Sequence, residues 1–84
     1  MSSIAIMPPV KVKTKGGLDA TIFEIDPDDL QDGISGIVYT PGMGAIAKSW
    51  SDVGICSNAP DDLNIDPRNP AFVVVVDQLR AARP

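Results

Sequence analysis

A chain of 84 residues, 44% hydrophobic and 21% charged, has enough apolar material for one folded domain and too little charge for a disordered one. It contains no histidine and a single cysteine. That removes the usual general base near neutral pH, the Ser/His and Cys/His nucleophile pairs, an internal disulfide and the multi-cysteine zinc site. The net charge of -4 is uneven: ten acidic residues lie between Asp19 and Asp66 against Lys48 alone, whereas Lys11, Lys13, Lys15, Arg68, Arg80 and Arg83 flank that block with only Asp77 among them.

An acidic field of this kind repels phosphate backbones and attracts basic surfaces, so the charge disfavours direct nucleic-acid binding and favours a basic protein as any partner; the alternative is that these are solubilising loop charges. Residues 1–10 lack the basic start, apolar run and cleavage site of a secretory signal, and no stretch approaches the roughly 18 apolar residues of a membrane span. The simplest expectation is an intracellular protein with no membrane partner.

In chain order, VKVKT (residues 10–14) alternates apolar and basic residues with period two, which is the pattern of a half-buried strand. Lys15, Gly16 and Gly17 supply a turn, and ATIFEI (residues 20–25) carries the β-branched and aromatic residues that strands favour. GISGIVYT (residues 33–40) reads as a third strand, with Gly36 marking a bulge or a close backbone approach, and a Pro-Gly turn follows it. AIAKSW (residues 45–50) reads as a fourth strand, and a short fifth runs through Ile55 and Cys56. FVVVV, which starts at Phe72 and ends at Val76, is the most apolar run; without alternation it reads as a strand covered on both faces, placed centrally or in a subunit contact. Eight prolines and seven glycines interrupt nearly every window long enough for a helix.

The expected fold is therefore mainly β: a small antiparallel SH3-like barrel of five to six short strands over residues 10–77, with a flexible N-terminal arm (1–9) and a C-terminal tail (78–84).

The tetrapeptide PDDL occurs at residues 27–30 and again at 60–63. Asp26 before Pro27 has the chemistry of an N-cap, but Gly33 stops anything longer than about one turn, so turn formation explains both copies. A calcium loop starting at Asp26 would put Leu30 and Gln31 where an oxygen ligand and a glycine belong, so no metal is expected. The flanks of the two copies differ, which argues against duplication. GMGAIAKS (residues 42–49) is one glycine short of a phosphate loop, and no helix is expected after it to aim its dipole at a phosphate. No catalytic residue and no cofactor are expected; the eleven acids crowd into turns rather than standing rigidly on strands. Cys56 reads as a small buried hydrophobe. Trp50, the only tryptophan, reads as core filler or as a surface anchor for a partner.

VKTKGGLDATIFEID, then ISGIV, then SWSDVGICSNAPDDLNI resemble a group of small phage and prophage β-domain proteins of unknown function. There a Lys-Thr-basic-x-Gly hairpin leads into an Ala-x-Ile strand and a Trp-x-x-x-Gly turn. The corresponding residues are Lys13, Thr14, Lys15 and Gly16, then Ala20 with Ile22, then Trp50 and Gly54. The resemblance implies a phage-type β module and carries over no functional residue.

Together these readings give a non-catalytic accessory binding protein of phage or prophage origin, acting in the bacterial cytoplasm or in the virion. Its most concrete form is an inhibitor that docks Asp26, Asp28, Asp29, Asp32, Asp61 and Asp62, with Trp50, on the basic nucleic-acid-binding surface of a host protein. The alternatives are a virion or assembly component, with subunit contacts through residues 72–76 and the N-terminal stretch, and a small-nucleotide-binding module built on residues 42–49.

Overall fold

A computed structural model describes residues 4–83 of the chain. Four strands, β1 (Ala5–Lys13), β2 (Asp19–Ile25), β3 (Ile34–Thr40) and β4 (Gly44–Trp50), form an antiparallel meander in the order β1-β2-β3-β4, and a helix α1 (Pro70–Ala82) follows.

The turns follow from their residues. After β1, Thr14 accepts the amide of Gly17 on its carbonyl and that of Leu18 on its hydroxyl, and Gly17 takes φ 82°. After β3, Pro41 and Gly42 (φ 81°) occupy the central positions of a turn closed by the Met43 amide on the Thr40 carbonyl, the proline-then-glycine chemistry of a type II turn. Gly36 faces a register shift in β2 between Ile22 and Glu24, and a Cβ there would stand 2.0 Å from the Thr21 carbonyl oxygen. Close strand approach, the second of the two readings for Gly36, explains the residue.

One face of the sheet carries Val12, Ala20, Ile22, Ile25, Ile34, Val38 and Trp50, all buried against Phe72, Val75, Val76 and Leu79 of α1. Those four helical positions fall at i, i+3, i+4 and i+7, one stripe of an amphipathic helix. FVVVV is therefore helical rather than a strand. The reason is local as well as tertiary: Asn69 accepts the amides of Ala71 and Phe72 on Oδ1, and Pro70 follows at the first helical position. In the segment from Phe72 to Val76, where a subunit contact was expected, Phe72, Val75 and Val76 are spent on the chain's own core and only Val73 and Val74 face outward.

The sheet is not closed. β1 and β4 are its two edges, so the expected barrel reduces to an open four-stranded layer, and the expected fifth strand to one isolated bridge between Trp50 and Cys56. Residues 51–65 seal the layer instead. They run from the Trp50 end of β4 to the turn beyond β1, at the diagonally opposite corner, where Lys15 and Gly16 donate their amides to the Asn64 and Asp62 carbonyls. The Ile65 amide on the Gly54 carbonyl (2.8 Å) pins that crossing segment to its own start.

Of the expected N-terminal arm, residues 1–3 lie outside the described residues; from Ala5 onward it is strand. In the expected tail, Leu79 is buried and Arg83 is tied to two loops, while Pro84 lies outside the described residues. No helix among the described residues is long and apolar enough to cross a membrane.

Candidate functional site

The six aspartates divide into two groups. Asp26, Asp28, Asp29 and Asp32 occupy the β2–β3 connection, whereas Asp61 and Asp62 sit in a 3-10 turn (Asp61–Leu63) packed against Gly16, beyond the other end of β2. A seven-residue strand at about 3.3 Å per residue separates those ends by roughly 20 Å. Among the described residues no group of three or more acidic or cysteine side chains converges in a way that would hold a metal ion.

The first group forms a braced loop. Asp26 Oδ1 accepts the Asp28 amide, and Asp29 Oδ1 accepts the amides of Gln31 and Asp32, the side-chain-to-backbone chemistry that makes aspartate a turn former. The Asp26 amide donates to the Gly33 carbonyl and closes the loop at its base. Bonds from elsewhere hold it in place. Ser57 donates its hydroxyl to Asp32 Oδ1 at 2.8 Å, and Arg83, at the C-terminal cap of α1, donates Nη2 to the Asp29 carbonyl at 3.3 Å. Arg83 Nη1 also meets Asp52 Oδ2 at 3.3 Å, with Arg80 at 3.8 Å from the same carboxylate oxygen, so the end of the helix, the β2–β3 loop and the start of the crossing segment form one knot. The Asp32 and Gln31 amides, with a smaller contribution from Arg83, hold the Asp29 carboxyl below its ordinary value, and slight burial opposes them.

Next to Asp29 in this braced loop, Leu30 is 79% exposed. Sequence reasoning passed over it as a turn residue; an isolated leucine between aspartates carries no periodic signal.

Trp50 is fully buried, and its indole Nε1 donates to the Leu63 carbonyl at 2.8 Å. Its place among the partner-facing residues is corrected: a small core takes its largest side chain, and the single polar atom is satisfied internally. Cys56 is buried, and loss of hydration pushes its thiol up. Residues 42–49 span the β3–β4 turn and the edge strand β4, with loop after them rather than helix. The backbone cradle and helix dipole that phosphate binding requires are missing from that segment. A shallow open groove of about 600 Å³ lies across β2, β3 and β4, where Phe23, Glu24 and Lys48 surround the hydrogen-bonded hydroxyls of Ser35 and Ser49.

Compared with protein-family models, with curated proteins and with solved structures, the chain matches none of the three.

Proposed function

We propose that the chain is a non-catalytic accessory binding protein, of the phage or prophage type its hairpin-and-turn pattern resembles, that inhibits a host protein by docking the braced acidic loop 26–33 on a basic, nucleic-acid-binding surface. The observation that carries the reading is Leu30, exposed in a loop whose Asp26, Asp29 and Asp32 carboxylates are held by backbone amides and Ser57, and whose backbone is held by Arg83 at the Asp29 carbonyl. An apolar side chain on a braced loop flanked by aspartates loses little backbone freedom on binding, and it pairs a desolvated contact with neighbouring charge. Asp61 and Asp62, beyond the far end of β2, form a separate patch that adds long-range attraction.

The test compares pull-downs from host lysate by the wild type and by the double variant Asp28→Lys, Leu30→Asp, over a series of salt concentrations. Basic proteins retained by the wild type at low salt, released as salt rises and absent with the variant support the reading. The same proteins on both columns overturn it. A virion or assembly component is the second reading, favoured by Val73 and Val74, which stand exposed on the outer face of α1. A closed ring or a concentration-dependent polymer beyond a dimer in gel filtration would select it.

A further inference from the structure

The two edges of the sheet are not equivalent. β1 carries Pro8 and Pro9, which have no N–H to offer a neighbour, a register shift between Ile6 and Val10 at the same place, and Lys11 and Lys13 beyond it. Prolines, irregular register and lysines are the devices that stop an edge from pairing. Along its first five residues β4 has no proline and no register shift, and of these devices only a single lysine, Lys48. It is regular against β3 at every position from Gly44 to Trp50, contains no proline, and carries the one charge of Lys48. Its last residue, Trp50, is bridged by Cys56, which fills the row beside β4 at that end and leaves residues 44–48 open.

We infer that the open edge of β4 pairs with β4 of a second copy, antiparallel about a two-fold axis at Ile46, to join two sheets into one of eight strands. This register stops short of the Cys56 bridge and sets Ala45 opposite Ala47 of the other copy and Gly44 opposite Lys48. The side chains that meet on the uncovered face are therefore alanines, both exposed in the single chain, and no like charges stand opposite one another. Antiparallel pairing also turns the two acidic 26–33 loops to opposite ends of the assembly, so the net charge of each copy opposes association weakly. Because the guarded β1 edge cannot take the same part, association closes at two copies instead of propagating as a filament. The dimer is independent of the docking proposal, and it presents two braced loops at its far ends.

Sedimentation equilibrium over a concentration series tests this. The expected result is a reversible monomer–dimer equilibrium with a dissociation constant of about 1–100 µM, as suits a small interface built mainly on backbone hydrogen bonds. The double variants Ala45→Glu, Ala47→Glu and Ala45→Lys, Ala47→Lys are each expected to be monomeric, and an equimolar mixture of the two to regain the dimer mass. On the wild-type protein, amide exchange in β4 is expected to slow as concentration rises, while exchange in β1 stays unchanged. A wild type that remains monomeric at about 1 mM overturns the inference. So does a dimer that both charged variants retain, or one in which the concentration-dependent protection falls on β1 or α1.

Discussion

Gly54 separates two costs that glycine substitutions usually mix. Its φ is 84°, close to the 81° of Gly42, so an alanine at either position must enter the left-handed region, at about 1–2 kcal/mol for a residue with a Cβ. Around Gly42 a Cβ meets nothing within 4 Å, and the cost ends there. At Gly54 the Cβ would stand 1.9 Å from the Ile65 carbonyl oxygen, and that oxygen belongs to backbone. Relief requires the crossing segment to move away from Gly54, which breaks the hydrogen bond that the Ile65 amide donates to the Gly54 carbonyl and loosens the neighbouring hydrogen bonds from Lys15 and Gly16. One lost hydrogen bond and an unsatisfied buried carbonyl add about 2 kcal/mol, so Gly54→Ala should cost about 3–4 kcal/mol and Gly42→Ala about 1–2 kcal/mol. For a domain of this size the larger figure removes a substantial part of a total stability of roughly 5–10 kcal/mol. Urea unfolding followed by tryptophan fluorescence measures both, since Trp50 is the sole indole and is fully buried. Equal losses in the two variants would refute the claim that the crossing segment is held against Gly54.

Val75→Ala should cost about 2 kcal/mol, because Val75 is fully buried under the sheet, whereas Val74→Ala, at a half-exposed neighbour, should stay within about 0.5 kcal/mol; similar losses at both would contradict the helical placement of this run. Asp29 has a folded pKa below its ordinary value of 3.8, so the stability it contributes is fully present above that value and is lost as pH falls through the folded one. The gap in urea midpoint between wild type and Asp29→Asn should therefore be widest near neutrality and should shrink as pH falls below the ordinary aspartate range; a constant gap would mean the carboxylate charge is not the source. Cys56, buried with its thiol pushed up, should react with a thiol reagent at pH 7 only as fast as the chain opens, and denaturant should release it; immediate reaction in the native state would be inconsistent with the packing.

Four of the six segments read as strands are strands of the sheet, because each announced itself locally. Alternation in VKVKT, β-branched residues in ATIFEI, and the Gly-Gly and Pro-Gly punctuation between strands are short-range signals that the sheet obeys. The repeated PDDL was likewise legible as turn chemistry, and Asp26, Asp29 and the 3-10 turn at Asp61–Leu63 bear that out. FVVVV was misjudged for a physical reason. Four valines in a row carry a strong strand preference, and it outweighed two helix signals also present: Asn69 before Pro70, and apolar residues at 72, 75, 76 and 79. Packing one stripe of that helix on the sheet overrode the preference of its individual residues.

The chain by itself determined its local conformations and its chemistry: where it turns, which segments extend, and that no imidazole and no second thiol are present for catalysis or metal binding. Tertiary structure alone decided that the sheet stays open, that residues 51–65 seal it, that Trp50 faces inward, and that the six aspartates part into two patches with Leu30 left standing in one. Each of these depends on pairs far apart along the chain, such as Arg83 with Asp29, Ser57 with Asp32 and Ile65 with Gly54. Contacts of that kind arise from how the elements pack, and no window of neighbouring residues encodes them.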